Sequence, residues 1–209
     1  AKSQGIDCEK VHLYLSNHAS YYPGAEFMAI KIIFEKGTGR ILGGQFFGGT
    51  GTEKRCDVLA VAIRAGMKAT DLVNLDLCYA PPYSSAKDPV VMAGMAIENI
   101  LTNKVKVTHW NELNKLDKNK VTFLDVRTKG EYADGHVEGF INIPLHELRD
   151  RLNELDKEKP VYVNCLSGMR SYVACMILKG HGFDCTNISG GYRLYKVMTK
   201  FYKTQENNR

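Results

Sequence analysis

The residues around Cys165 constrain the fold of this chain more than any other stretch. Val161-Tyr162-Val163-Asn164 predicts a buried strand, and the apolar run from Tyr172 to Leu178 predicts a helix. Between them, Cys165-Leu166-Ser167-Gly168-Met169-Arg170-Ser171 predicts a tight loop, with the helix capped near Ser171. A buried strand that leads through a short loop into a helix is typical of parallel α/β sheets.

The loop makes Cys165 a candidate nucleophile. Its backbone N–H groups, the start of the helix and the neighbouring Arg170 all favour the thiolate form. Cys165 and Arg170 form a Cys-x-x-x-x-Arg pattern, one residue shorter than the Cys-x-x-x-x-x-Arg loop of cysteine phosphatases. A smaller ring of N–H groups suits a single sulfur better than a tetrahedral phosphate, so the pattern favours sulfur transfer. Arsenate or phosphate chemistry on the same loop, and an ordinary buried cysteine, are the alternatives.

The second half of the chain alternates predicted strands and helices, which indicates an α/β domain with a central parallel sheet covered on both faces. Strands are predicted at 105–107, 121–126, 161–164 and 186–188, and helices after a cap at Thr108, at 145–152, at 171–179 and after Gly190. A short polar link separates this half from the helix before it. We therefore predict two domains, of residues 1–104 and 105–209.

From about residue 105 to 200 the chain resembles a single-domain rhodanese. The motifs in that family's order and spacing are Asp125-Val126-Arg127, Gly135-His136-Val137-Glu138-Gly139-Phe140-Ile141-Asn142-Ile143-Pro144, the Cys165 loop and Gly190-Gly191-Tyr192. The resemblance implies that Cys165 takes up sulfane sulfur as a persulfide and passes it to a thiol or another nucleophile. It also implies that the terminal sulfur is stabilised by the N–H groups of the loop, which consists of Leu166, Ser167, Gly168, Met169, Arg170 and Ser171.

Three further residues of this half are candidate site residues. Asp125 and Arg127 stand at the carboxyl end of a predicted strand, where open parallel sheets place their sites. They form either an ion pair that holds the entry of the loop or a contact with substrate. His136 is expected to cap or brace its loop rather than to act as a base. A domain that only recruits a partner, without catalysis, is the alternative to a sulfurtransferase.

The first half predicts an antiparallel hairpin followed by helices. The predicted strands are 11–15, 27–35 and 41–47, and the predicted helical segments are 54–65, 70–77 and 89–101. Asp88 caps the last helix and Pro89 occupies its first position. Gly49 and Gly51 fit a tight turn into a helix better than a dinucleotide-binding fingerprint, because Lys54 stands where the third glycine belongs.

The segment from Tyr79 to Val90 carries a second resemblance. Its sequence is Tyr-Ala-Pro-Pro-Tyr-Ser-Ser-Ala-Lys-Asp-Pro-Val, in which Pro81 and Pro82 predict a stiff extended stretch. With the hairpin and helix before it, the segment resembles the C-terminal dimerisation domain of the flavin- and pyridine-nucleotide-dependent disulfide reductases. It is most similar to the coenzyme A-disulfide reductase and NADH oxidase branch, over about residues 10 to 102.

This second resemblance implies an α+β dimerisation domain, with an antiparallel sheet and helices, and a homodimer. It implies that Tyr79 and Tyr21 reach across the dimer to the redox-active cysteine of the partner subunit. Tyr22 is the neighbouring alternative to Tyr21. For Tyr79 and Tyr83, simple packing against proline rings is the alternative.

The order of the two resemblances indicates the parent protein. We expect a cytoplasmic homodimeric reductase that uses FAD and NAD(P)H against coenzyme A disulfide, coenzyme A persulfide or polysulfide. The fingerprints and redox cysteine of its flavin and nucleotide domains are absent from this sequence, so we expect that the chain starts partway through a longer protein and binds no FAD alone. The expected small-molecule partners of the Cys165 site are low-molecular-weight thiols, persulfides or coenzyme A.

Composition and charge exclude several other classes of function. The 28 Lys and Arg against 23 Asp and Glu give a net charge of +5, but the charges are mixed along the chain, so no nucleic-acid-binding face is indicated. No apolar run approaches the ~18 residues that a membrane-spanning helix needs. The six cysteines show neither a Cys-x-x-Cys pair nor zinc spacing, so neither a metal site nor a disulfide framework is expected. A reducing, cytoplasmic setting fits this pattern.

Overall fold

The chain divides into two units, one of residues Ala1–Lys104 and one that begins at Val105. The structure is a computed structural model that describes residues 1–207. Within that range, no helix has both the length and the apolar character needed to cross a lipid bilayer. Each unit has its own β-sheet.

The first unit contains a three-stranded antiparallel sheet in the order β1-β2-β3. Its main elements are β1 (Cys8–Ser16), β2 (Phe27–Glu35), β3 (Ile41–Phe47), α1 (Thr52–Arg64), a 3-10 helix (Asp71–Asn74) and α2 (Pro89–Leu101). Side chains of β2 alternate between buried and more exposed positions, because one face of the strand lies on the core. The buried face, which includes Ile32 and Phe34, forms one apolar cluster with Leu59 of α1 and Ile97 of α2. The predicted α+β fold of this half is confirmed.

The segment that leads into α2 is partly as predicted. Asp88 caps the helix by accepting a hydrogen bond from Val90 N at 3.0 Å, and Pro89 is the first helical residue, where its missing N–H costs nothing. The extended stretch predicted at Pro81 and Pro82 is wrong, because the chain turns there. Ala80 O accepts hydrogen bonds from the N–H groups of the third and fourth residues that follow it. The fixed φ of proline suits a turn as well as an extended segment.

The second unit contains a five-stranded parallel sheet in the order β4-β8-β7-β5-β6. Its elements are β4 (Lys106–Thr108), α3 (Trp110–Leu113), β5 (Thr122–Asp125), α4 (Lys129–Ala133), β6 (Ile141–Asn142), a 3-10 helix (Leu148–Glu154), β7 (Val161–Asn164), α5 (Met169–Gly180), β8 (Cys185–Ile188) and α6 (Gly191–Asn207). The central strand β7 buries Val161 and Val163 completely. The predicted α/β domain with a central parallel sheet is confirmed.

Three local predictions in this unit are wrong. The segment 145–152 forms no α-helix, and its 3-10 helix is interrupted by non-helical dihedral angles at Arg151. The cap of α3 is His109, whereas the Thr108 hydroxyl donates to the Glu112 carboxylate. Helix α5 begins at Met169 with Gly168 as its cap, since Gly168 has a positive φ of 105° that favours glycine. Ser171, the predicted cap, therefore lies inside the helix.

Candidate active site

Cys165 lies at the carboxyl end of the central strand β7, where parallel sheets usually place functional groups. It is 1% exposed, and its Sγ accepts a hydrogen bond from Gly168 N at 3.1 Å. The Ser171 hydroxyl lies 3.3 Å from the same sulfur. A donor aimed at the sulfur from the start of α5 stabilises negative charge there. The loop thus forms a small site in which the sulfur of Cys165 can carry a negative charge.

The Ser171 hydroxyl also lies 2.6 Å from Asn187 Oδ1, which comes from β8. Asn187 Nδ2 donates to Gly168 O at 3.2 Å, so its Oδ1 faces Ser171 as an acceptor. The hydroxyl carries one proton and can donate it to Asn187 or to a thiolate, or accept one from a thiol. Ser171 and Asn187 therefore accommodate Cys165 in either protonation state. The sequence predicted Ser171 in the loop but gave Asn187 no role.

The start of α6 fixes the shape of the loop. Tyr192 N donates to Cys165 O at 2.8 Å and Arg193 N donates to Leu166 O at 3.0 Å. Gly191 makes this approach possible: its φ is +56°, and a Cβ there would lie 2.5 Å from Cys165 O. Trp110 Nε1 donates to Gly191 O at 2.9 Å and holds the glycine in place. The sequence placed Gly190-Gly191-Tyr192 among the rhodanese motifs, but it did not predict that Gly191 and Trp110 hold the Cys165 loop.

Asp125 and Arg127 form a buried ion pair. The distance from Arg127 Nη2 to Asp125 Oδ2 is 2.8 Å, and neither side chain is more than 2% exposed. Asn164, which precedes Cys165, donates to Asp125 Oδ2 at 3.1 Å. Of the two interpretations that the sequence left open, this burial supports the ion pair, because neither group is open to a substrate. The pair thus stabilises the end of β5 beside β7, the strand that leads into Cys165.

The other hydrogen bonds of Arg127 bind α4 and the loop that follows it. They donate to Glu131 O at 3.0 Å and to Gly135 O at 2.9 Å. The next residue, His136, is exposed, and its ring stacks on Tyr132 at 4.0 Å while Nδ1 lies 3.0 Å from Tyr132 O. This geometry supports the bracing role predicted for His136.

Arg170 pairs with Glu131 in a bidentate contact. Its Nη1 and Nη2 each donate to one carboxylate oxygen at 2.7 Å. The hydrogen bonds from Arg170, followed by those from Thr128, lower the pKa of Glu131 to about 2. The stabilisation that this pair contributes is present above the ordinary carboxylate pKa and is lost as the pH falls towards 2. The sequence predicted Arg170 beside Cys165 but did not predict that Glu131 would bind it.

For the sulfur uptake predicted at Cys165, measured with thiosulfate as the sulfur donor, we expect Glu131→Gln to lower the KM by about threefold to tenfold, which corresponds to on the order of 1 kcal/mol for a partly exposed pair. The substitution releases the Arg170 guanidinium beside the Cys165 loop, where it can attract an anionic donor, while glutamine keeps the capping box with Thr128. Glu154→Gln is the matched control, since Glu154 makes a similar bidentate pair with Arg151. Steady-state kinetics of both variants tests this. A higher KM in Glu131→Gln alone would mean that the pair holds the loop instead.

In the first unit, the structure brings Tyr21 and Tyr79 together. Their hydroxyl oxygens are 3.1 Å apart, and the hydrogen bond raises the pKa of Tyr21. Tyr22, the alternative, packs its ring edge-on against His18. Tyr79 and Tyr83 are 50% and 71% exposed, which does not support simple packing against the prolines. A cavity of about 370 Å³ lies beside Tyr79.

A buried arginine positions this tyrosine pair. Arg55 of α1 is 1% exposed and its Nη2 lies 2.9 Å from Asp88 Oδ2. The same Nη2 donates to Asn17 O at 2.8 Å and to Tyr83 O at 3.3 Å. It thereby ties the segment before Tyr21 to the segment after Tyr79. Sequence reasoning missed Arg55, although its spacing from Leu59 places it on the apolar face of α1.

The six cysteines are all free thiols. Cys175 and Cys185 lie buried in the core of the second unit, where Cys185 Sγ donates to Cys175 O at 3.3 Å. Among the described residues, no group of three or more His, Cys, Asp and Glu side chains is arranged to hold a metal ion.

Each half of the chain contains a match to a known protein family. Residues 1–90 match the pyridine nucleotide-disulphide oxidoreductase dimerisation domain, and residues 111–197 match the rhodanese-like domain. The coenzyme A disulfide reductase of Staphylococcus haemolyticus is 36% identical over 89 residues, which are 43% of this chain and 20% of that protein.

Two solved structures are similar to the chain across both halves. Reduced CoADR-RHD from Bacillus anthracis is 46% identical with a TM-score of 0.90, over 93% of this chain and 35% of that one. The NAD-dependent persulfide reductase from A. fulgidus is 40% identical with a TM-score of 0.82, over 91% of this chain and 34% of that one. The chain thus spans only a part of the length of the proteins that it matches.

Proposed function

The chain joins a dimerisation domain of the pyridine nucleotide-disulphide oxidoreductase family to a rhodanese-like domain, and we propose that Cys165 of the latter transfers sulfur as a persulfide. The observation that carries the proposal is the position of Cys165 Sγ, held under Gly168 N and the Ser171 hydroxyl at the end of the central strand. So small a set of hydrogen-bond donors suits a single negatively charged sulfur.

The reaction proceeds in two balanced steps. The Cys165 thiolate attacks the sulfane sulfur of a donor; with thiosulfate, a Cys165 persulfide forms and sulfite leaves with the electron pair of the broken S–S bond. An acceptor thiolate then attacks the terminal sulfur, leaves as a persulfide and regenerates the Cys165 thiolate. Gly168 N–H and the loop around it stabilise the charge on the persulfide, and the Ser171 hydroxyl donates a hydrogen bond to the Cys165 thiolate before the attack and after its release.

We expect the wild-type chain to transfer sulfur from thiosulfate to cyanide and to show no phosphatase or arsenate reductase activity. The loop is one residue shorter than a phosphatase loop, and both terminal nitrogens of Arg170, the residue a phosphate would need, bind Glu131. Parallel assays with thiosulfate, an aryl phosphate and arsenate on one preparation test this. Phosphatase activity without sulfur transfer would contradict the proposal, and an inert chain would favour a domain that only recruits a partner.

We further propose that the chain works within a homodimeric reductase that uses FAD and NAD(P)H on coenzyme A disulfide, coenzyme A persulfide or polysulfide. The names of the similar proteins, coenzyme A disulfide reductase and NAD-dependent persulfide reductase, support this. In that dimer, Tyr21 and Tyr79 would present their paired hydroxyls to the redox cysteine of the partner subunit. The six free thiols support a reducing, cytoplasmic setting.

By themselves, the described residues do not form a binding site for FAD or NAD(P)H. The sheet of the first unit is antiparallel, and the Gly49 to Gly51 turn leads from its strand β3 into α1 rather than from a parallel strand. A dinucleotide fold places its glycine-rich turn after a parallel strand. We therefore place FAD and NAD(P)H on domains other than the two described, and neither step at Cys165 requires them.

A further inference from the structure

Two buried cysteines of the second unit lie in contact with one another. Cys175 belongs to α5 and is fully buried, and Cys185 begins β8 and is 8% exposed. Cys185 Sγ lies 3.3 Å from Cys175 O, and a hydrogen bond also joins the two thiols. Two thiols in contact are the arrangement that a disulfide bond requires, since its sulfur atoms must come within roughly 2 Å of each other.

The two thiols differ in their tendency to ionise. The hydrogen bond to Cys175 lowers the pKa of Cys185, and the positive charges of Lys106 and Lys179 act in the same direction. The hydrogen bond with Cys185, together with burial, raises the pKa of Cys175. Cys185 is therefore the thiolate that reacts first with an oxidant, and Cys175 is the thiol that completes the bond.

The cysteine pair lies next to a hydrogen bond that belongs to the Cys165 site. Cys175 stands four residues after Ser171, so these two side chains share one face of α5. Cys185 stands two residues before Asn187, so these two share one face of β8. The Ser171 hydroxyl lies 2.6 Å from Asn187 Oδ1 and 3.3 Å from Cys165 Sγ. A bond between the cysteines therefore joins the same two elements one helical turn away from the site.

We propose that Cys175 and Cys185 form a reversible disulfide when the protein meets a hydroperoxide, and that this bond slows sulfur transfer at Cys165. The effect on transfer rests on the proposed persulfide at Cys165, whereas the disulfide itself does not. A hydroperoxide is small enough to reach a thiol that is 8% exposed.

The oxidation proceeds in two balanced steps. The Cys185 thiolate attacks one oxygen of hydrogen peroxide, the O–O bond breaks, and hydroxide leaves and takes up a proton, so that a sulfenic acid and water form. The Cys175 sulfur then attacks the Cys185 sulfur, the S–O bond breaks, and the hydroxyl leaves as water with the Cys175 proton. The two thiols lose two electrons, which the peroxide gains.

The new bond disturbs the site through α5. Drawing the two sulfur atoms together to roughly 2 Å pulls α5 towards β8 and shifts Ser171 against Asn187. Ser171 contacts the sulfur of Cys165, so the shift changes the hydrogen bonds of the nucleophile. We expect sulfur transfer to fall at least tenfold, since a displacement of about 1 Å can cost up to about a hundredfold.

Peptide mapping tests the disulfide. The protein is treated with hydrogen peroxide, its remaining thiols are blocked with N-ethylmaleimide, and it is digested with trypsin. Trypsin separates residues 171–179, which contain Cys175, from residues 180–193, which contain Cys185. We expect these two peptides to be joined in the wild type and in Cys165→Ser, and to separate after reduction with dithiothreitol. Peptides that are not joined would overturn the proposal.

Sulfur transfer from thiosulfate to cyanide, measured before and after the same treatment, tests the effect of the bond. We expect kcat/KM to fall at least tenfold in the wild type and to recover with dithiothreitol. Cys175→Ala and Cys185→Ala should lose only the smaller part that direct oxidation of Cys165 causes. Cys56→Ala removes an exposed thiol of the first unit and, as the matched control, should lose as much as the wild type.

Equal losses in the wild type and in the two alanine variants of the pair would overturn the effect on Cys165. Either of those variants gives this comparison if the other fails to fold. A wild type that transfers no sulfur even before the treatment would contradict the persulfide proposal instead. Peptide mapping reports on the disulfide in either case, so the two failures are distinguishable.

Discussion

Replacing Cys165 with serine is expected to lower sulfur transfer from thiosulfate to cyanide by about three orders of magnitude or more, to the level of the uncatalysed reaction. A serine hydroxyl cannot form the persulfide, while the nearly isosteric side chain leaves Gly168 N and Ser171 in place. The free energy of unfolding should change little. Transfer kinetics and thermal denaturation of the two proteins give the comparison.

Cys175→Ala is the matched control for this variant. Cys175 is a fully buried thiol of α5 in the same unit, and it plays no part in the proposed reaction. The alanine variant should keep transfer activity at the cost of some stability, because it leaves a small cavity. Full activity in Cys165→Ser would refute the assignment of the nucleophile.

Gly191→Ala is expected to reduce kcat/KM for thiosulfate by about two orders of magnitude, the effect of displacing a reacting group by about 1 Å. The new methyl group would lie 2.5 Å from Cys165 O, 2.7 Å from Ser167 N and 2.8 Å from Leu166 C, all of them backbone atoms of the loop. The loop must therefore move, and the hydrogen bond from Gly168 N to the sulfur moves with it. The positive φ adds about 1–2 kcal/mol to the loss of stability.

Gly182→Ala separates the effect of backbone strain from the effect of displacing the Cys165 loop. Gly182 also has a positive φ, of +82°, but a Cβ there meets no atom within 4 Å. It should lose a similar amount of stability from backbone strain and keep its activity. If both alanine variants retained full activity, the start of α6 would not position the Cys165 loop.

Much of the fold follows from local patterns in the sequence. The alternation along Phe27–Glu35 predicts a strand with one buried face, and the pair Asp88-Pro89 predicts the start of α2. The strand, cysteine and glycine around Cys165 likewise predict the loop at the carboxyl end of a parallel sheet. These features depend on neighbours within a few residues, so periodicity and capping rules detect them.

The contacts that support the site join residues far apart in the sequence, which local patterns do not encode. Thr128 and Glu131 form a recognisable capping box, but nothing local shows that Glu131 binds Arg170, 39 residues later. The sequence shows that Gly191 belongs to a turn. It does not show that glycine is required there because a Cβ would meet the backbone of the Cys165 loop. Arg55 lies on an apolar helix face, and only its tertiary partners explain why a cation is buried there.

The intact mass of the protein after incubation with thiosulfate tests the persulfide at Cys165 most directly. We expect that the wild type gains one sulfur atom, that a reducing thiol removes it, and that Cys165→Ser gains none. No added sulfur in the wild type, or the same gain in Cys165→Ser, would contradict sulfur transfer through this residue.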